Sequence, residues 1–224
     1  DDSTFLDQPT GDADVLRTID GFKSQTGLEI GVGPVFDEVS APTVNGLGTV
    51  FDDLFFGGFG NDRFFGDLGN DRMTGGGGVD TLEGGFGQDS LDATGSDRAV
   101  LDGGQGNDDI VGSAGNDTID GGLTSFRDGV PVESDDDFII AGDGNDIVRG
   151  GLGIDEIDGG EGNDTLSKQV FNNTPDGFAF DNTRSSILKG GIGNDRLISG
   201  RNTSEILEGG VGDDVLDGGS GNDR

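Results

Sequence analysis

A nine-residue period constrains this chain more than any other feature. From Gly57 to Asp92 the sequence reads GGFGNDRFF, GDLGNDRMT, GGGGVDTLE and GGFGQDSLD, one unit written four times without a gap. Glycine holds the first position, in most copies the second, and again the fourth. Asp stands sixth, and a large apolar residue eighth: Phe64, Met73, Leu82 and Leu91. A glycine-rich hexad reaches positive-φ conformations that residues with a Cβ resist, so the first six positions predict a tight turn and the last three a short strand. A strand of three residues cannot bury an apolar side chain alone. The units must therefore stack, and a fixed short period predicts a solenoid.

The periodicity overrules what composition alone suggests. With 47 Gly, 45 acidic against 13 basic residues and a formal charge of -32 in 224 residues, the chain has the profile of a disordered polymer. Charge of one sign at that density repels itself in any compact state, so a fold requires bound cations. The same charge excludes nucleic acid as a partner. Cys and His are absent, which removes disulfides, Cys or His zinc sites and every mechanism using thiolate or imidazole. Multivalent ions are the remaining staple. No run of about 18 apolar residues occurs, so no helical membrane span is expected.

In chain order, residues 1–47 carry short apolar clusters broken by Gly, Pro and Asp. They read as a β-rich N-terminal cap or degenerate repeats that shield the end of a stack. The roll is expected over 48–224, with GTVFDDLFF as its entry coil. ATGSDRAVLD, at 93–102, carries one extra residue. Insertions interrupt the period near 123–136 and 168–185; Asp128-Gly129 and Pro175-Asp176-Gly177 read as turns of two inserted hairpins. The chain stops inside a repeat, which reads as part of a longer or processed polypeptide.

The unit resembles the calcium-binding nonapeptide repeat of the RTX, or hemolysin-type, proteins, and about a dozen copies run in phase. That resemblance implies an all-β, right-handed parallel β-roll with two nonapeptide repeats per coil. Alternate units then share a side. Counting from Gly57, one side takes Asp62, Asp80, Asp97, Asp117, Asp146, Asp164, Asp195 and Asp214 as an unbroken row. The other takes Asp71, Asp89, Asp108, the Asp137 unit with the first insertion, Asp155, the unit with the second insertion, an irregular unit with Glu205, and Asp223. Both insertions are expected on this second side, two coils or about 10 Å apart.

The resemblance also implies a ligand set. One turn supplies the carbonyls of its second and fourth positions and its Asp; the turn two repeats on supplies the carbonyls of its first and third positions and its Asp. Gly58, Gly60 and Asp62 would thus share a calcium ion with Gly75, Gly77 and Asp80. Gly85, Gly87 and Asp89 would pair with Gly103, Gln105 and Asp108. Gly191, Gly193 and Asp195 would pair with Gly209, Val211 and Asp214. Gly76 and Gly78, Gly142 and Gly144, and Gly160 and Gly162 would serve in the same way for Asp80, Asp146 and Asp164. On the order of ten ions is expected. Calcium suits loose cages of hard oxygens better than magnesium, which demands strict octahedral geometry.

Two further columns stand out. Asn recurs at the fifth position (Asn61, Asn70, Asn107, Asn116, Asn145, Asn163, Asn194, Asn222) and is read as a residue that tolerates turn conformations. Apolar residues recur at the third (Phe59, Leu68, Phe86, Leu152, Ile192, Val211) as a possible contact surface. No catalytic residue is assigned, because the regularly spaced carboxylates already have a metal role. The functional expectation is a non-enzymatic, secreted calcium-binding structural module of a bacterial cell surface, in a filament, layer or adhesin, with itself or a surface polysaccharide as partner. The alternative is an accessory module of a secreted carbohydrate-active enzyme or toxin.

Overall fold

The computed structural model describes residues 43–122, 126–127, 130–131, 135–168, 185–199 and 204–224. Among them it contains strands and turns and no helix. Residues 1–42 of the segment expected as cap or degenerate repeats, and residues 169–184 of the second insertion, lie outside the described residues.

Two parallel sheets form a β-solenoid of about 7 turns that matches a β-roll. The first sheet takes, in order, Asn45–Leu47, Arg63–Leu68, Val79–Phe86, Arg98–Gln105, Thr118–Gly122, Ile147–Arg149, Thr165–Ser167, Arg196–Ile198 and Val215–Asp217. The second takes Leu54–Gly58, Arg72–Gly76, Ser90–Asp92, Asp109–Val111, Phe138–Asp143, Glu156–Glu161, Ile187–Ile192 and Ile206–Val211. Units of one parity therefore pair with each other, as the nonad count requires. Asn45–Leu47 pairs in register with Arg63–Phe65, so the end of the segment expected as cap or degenerate repeats adds a strand to the first sheet.

Both insertions interrupt turns that lead from the first sheet into the second, before Phe138 and before Ile187. The first carries an antiparallel pair, Phe126–Arg127 with Val130–Pro131; the expected Asp128-Gly129 turn lies outside the described residues.

From Leu54–Gly58 to Ile206–Val211 the strands of the two sheets bury the apolar residue at the eighth position, because side chains alternate between the two faces of a strand, whereas Leu216 in the last strand is exposed. Register stacks these residues into two files. One runs Phe64, Leu82, Leu101, Ile119, Val148, Leu166, Leu197. The other runs Phe55, Met73, Leu91, Ile110, Ile139, Ile157, Leu188, Leu207. Together they make one buried cluster, in which the Phe55 and Phe64 rings stack with centroids 5.1 Å apart. Two large apolar side chains per coil is a thin core, which puts the burden of order on the turns.

Candidate metal centre

The sixth-position carboxylates line the inner side of the turns. Asp62, Asp71, Asp80, Asp89, Asp108, Asp117, Asp137, Asp146, Asp155, Asp164 and Asp195 are all buried. One oxygen of each joins a ladder along the stack by accepting the backbone N–H of the corresponding residue one coil earlier. Asp62 donates to Asp80 Oδ1 at 2.8 Å, Asp71 to Asp89 at 2.7 Å, Asp108 to Asp137 at 2.9 Å and Asp146 to Asp164 at 2.9 Å.

The other oxygen is different. In Asp62, Asp71, Asp89, Asp108, Asp137, Asp146, Asp164 and Asp195, Oδ2 is buried and has no hydrogen-bond partner in the protein. Leaving a buried acceptor unsatisfied costs about 1–3 kcal/mol, and more when it is charged. The first-position glycines show what faces these oxygens. A Cβ on Gly57 would stand 2.2 Å from Asp62 Oδ2 and 2.1 Å from the Gly75 carbonyl oxygen of the next coil. Gly84 lies likewise against Asp89 Oδ2 and the Gly103 carbonyl, and Gly190 against Asp195 Oδ2 and the Gly209 carbonyl. Carboxylate and carbonyl oxygens thus converge beside each first-position glycine. The carboxylate oxygens there have no donor, and the carbonyls beside them, which belong to the strand ladders, each keep a second lone pair: oxygens gathered in this way are the chemistry of a cation cage.

The remaining carbonyls divide. Those of Gly58, Gly60, Gly76, Gly85, Gly87, Gly142, Gly144, Gly160, Gly162, Gly191 and Gly193 point along the stack at the same position of the next coil, within 2.6 Å of where a Cβ would be. Gly78 O accepts the N–H of Asp97 at 2.6 Å. At the third position, Gln105 O and Val211 O accept the N–H groups of Gly87 and Gly193, both at 2.8 Å. Gly77 sits beside Phe59.

Burial and neighbouring carboxylates raise the pKa values of the row. Desolvation is the largest cause throughout; it pushes Asp71 and Asp146 up to about 7, Asp89 and Asp164 to about 6, Asp108 to about 8 and Asp137 to about 10. Asp62, Asp80 and Asp195 are raised for the same reason. Such groups want either protons or a metal.

At several positions the turns depart from the regular unit. Asp97 is exposed, and register places Ala99 opposite Asp80, so the first-sheet row is broken where sequence had it continuous. The extra residue in 93–102 displaces the carboxylate out of the turn interior. Ser96 Oγ donates to Asp80 Oδ2 at 2.5 Å in its stead. Asp155 is buried but paired with Lys168, whose Nζ lies 2.7 Å from Oδ2. Asp214 and Asp223 are half-buried, although both still accept ladder N–H groups from Asp195 and Glu205. Leu152 is buried, whereas Phe59, Phe86, Ile192 and Val211 at the same position are exposed.

The Asn column is a second hydrogen-bond ladder and not a left-handed conformer: among the described non-glycine residues only Asp67 has positive φ, at 76°. Asn61 Oδ1 accepts the Val79 N–H at 2.8 Å, Asn145 that of Asn163 at 2.8 Å and Asn163 that of Asn194 at 2.9 Å. Asp53 belongs to the second-sheet row as well; it is buried and donates to Asp71 Oδ1 at 2.7 Å. Its sixth position in GTVFDDLFF is the signal that would have placed it there. Buried Asp135, which accepts the Gly106 N–H at 3.2 Å, carries no such signal because it stands at the fourth position of its unit, where the repeat has Gly and where Gly153 of the next coil packs on its carbonyl.

The model for the RTX calcium-binding nonapeptide repeat (4 copies) matches at residues 47–82, 56–91, 74–98, 93–123, 133–166, 180–203 and 199–224. The chain belongs to the RTX calcium-binding nonapeptide repeat family. No characterised protein and no solved structure matches it. The RTX repeats make it a calcium-binding repeat module, and the donor set fits that ion. Among the described residues no three carboxylates gather at one point. Paired carboxylates supplemented by backbone carbonyls are instead the hard-oxygen, low-charge environment calcium accepts.

Proposed function

We propose that this chain is an extracellular structural module that stays unfolded where calcium is scarce, folds on binding it, and serves in cell-surface assembly, as part of a filament, layer or adhesin. The observation that carries the first half is the file of buried carboxylate oxygens without partners, because a fold that leaves them bare at neutral pH is strongly disfavoured. The sixth-position Asp residues would hold the ions together with the first-position carbonyls of the next coil. The ions would supply positive charge and cross-links between coils.

RTX repeat proteins are typically secreted, and the absence of Cys in a chain of this size suits an ion-stapled secreted fold. Assembly is supported by apolar side chains on the outer turns, with Phe59 72% and Val211 68% exposed, which single molecules in solution gain nothing by displaying. The module would act without catalysis, since its regularly spaced carboxylates are committed to the turn interior.

Sedimentation velocity and negative-stain microscopy across protein concentration, in millimolar calcium and in chelator, test the proposal. Ordered, calcium-dependent assemblies are expected. Monomers at every concentration in calcium would remove the assembly role and leave the calcium module alone.

A further inference from the structure

One rung of the second sheet departs from the rest in a concerted way. Asp155 Oδ2 accepts from Lys168 Nζ at 2.7 Å, and the same ammonium donates to the carbonyl of Gly153. Gly153 and Asp155 are the fourth and sixth positions of one unit, the two places from which a cage would draw a carbonyl and a carboxylate. Lys168 itself stands at the first position of the following second-sheet unit, where Gly150 stands in the unit before and Gly121 in the one before that. That unit also lacks its carboxylate, carrying Ser186 immediately before its strand.

The two exchanges depend on each other. At Gly150 a Cβ would stand 2.4 Å from the Oδ2 of its own unit's Asp155, so a first-position side chain and a sixth-position Asp compete for one space. With serine at 186 that space is open to a lysine. Ser186 Oγ still accepts the Asp155 N–H at 3.0 Å, which keeps the ladder bond and drops the charge. Charge balance follows the same logic. Two carboxylates match a divalent ion, whereas one carboxylate matches one ammonium. Lys168 is one of three lysines in the chain, and its side chain is 5% exposed against a fully covered Asp155.

We infer that Lys168 is a tethered substitute for calcium in the rung between Asp155 and Ser186, so that this rung takes no ion and the second-sheet ion row is divided in two. The first sheet repeats the principle with a neutral donor. There Ala99 replaces the sixth-position Asp, and Ser96 Oγ satisfies Asp80 Oδ2 at 2.5 Å. In both rungs the loss of the second carboxylate goes with a side-chain donor on Oδ2, the oxygen that is bare in Asp62, Asp71, Asp89, Asp108, Asp137, Asp146, Asp164 and Asp195; Asp117 Oδ2, with Asp146 in the next coil, accepts only a backbone N–H, from Ser113.

This inference rests on the calcium-module reading, and two measurements separate their fates. In calcium, limited acetylation of the wild-type chain followed by peptide mass spectrometry should modify Lys168 roughly tenfold or more slowly than Lys189, because a buried ammonium reacts only on local opening. Lys189 is the reference, its side chain being 35% exposed. Equal rates would overturn the inference without touching calcium binding. The variant Lys168→Gly/Ser186→Asp, which restores both repeat residues, should bind one more calcium ion per chain than wild type by equilibrium dialysis and atomic emission. An unchanged ion count would overturn the inference. If the wild type binds no calcium, the module reading falls, and the labelling ratio still decides where the Lys168 ammonium sits.

Discussion

Removing calcium at neutral pH should unfold the roll, and the size of the effect follows from the buried carboxylates. Burial holds Asp71, Asp108, Asp137 and Asp146 at about 7 or above, against a value near 4 in an unfolded chain. At pH 7 each then makes the ion-free fold less stable by about 4 kcal/mol. Halved for screening and relaxation, the four together still cost on the order of 8 kcal/mol, within the 5–15 kcal/mol that holds an ordinary domain together. Calcium at about ten times its dissociation constant adds roughly 1.4 kcal/mol per site and removes the desolvation cost as well. The sign with pH is fixed. Folded values lie above unfolded ones, so in chelator stability is greatest below about pH 4 and is lost as pH rises through about 6 to 8.

Far-ultraviolet circular dichroism and small-angle scattering at pH 7.5 and pH 4, each with calcium and with chelator, read this directly. With calcium at pH 7.5 the expected particle is a rod whose nine-stranded sheet spans about 38 Å. With chelator at pH 7.5 the chain should expand toward a radius of gyration of about 50 Å, and acidification should restore β signal without any metal. A chelated chain that keeps its spectrum and its compact radius at pH 7.5 would refute the reasoning.

Other outcomes follow from single positions. Gly76→Ala places a Cβ 2.0 Å from Gly58 O at a φ of +95°, and should cost about 3 kcal/mol or more in a thermal melt in calcium. Gly77→Ala meets only the edge of the Phe59 ring at 3.2 Å and should cost less than about 1 kcal/mol. Asp108→Asn should reduce the number of calcium ions bound in dialysis, because it lies between two coils of the row, whereas Asp97→Asn, exposed outside it, should leave the number unchanged. Ile157→Ala empties a fully buried place in the core file and should cost about 2–5 kcal/mol, while the half-exposed Ile147→Ala should stay within about 1 kcal/mol, both by denaturant titration in calcium.

The spacing of Gly, Asp and the eighth-position apolar residue determined the architecture by itself, since a three-residue strand after a glycine turn has only one way to bury its side chain. Parity followed from the count of nines, and with it the two sheets and the shared side of both insertions. Residues such as Phe64, Leu82 and Asp62 were legible because each acts within its own unit. What stayed hidden depends on the neighbouring coil. Asp97 has the right residue type, but one extra residue shifts the register and puts Ala99 opposite Asp80. The Asn column looks like turn chemistry in one unit and becomes a ladder only when Asn61 meets the Val79 N–H of the next. Lys168 reads as the start of an insertion, and only stacking brings its ammonium onto Asp155 and Gly153. A nonad specifies its own turn and strand; whether its sixth position faces a carboxylate, a serine or a lysine is settled 18 or more residues away, between coils that sequence does not place side by side.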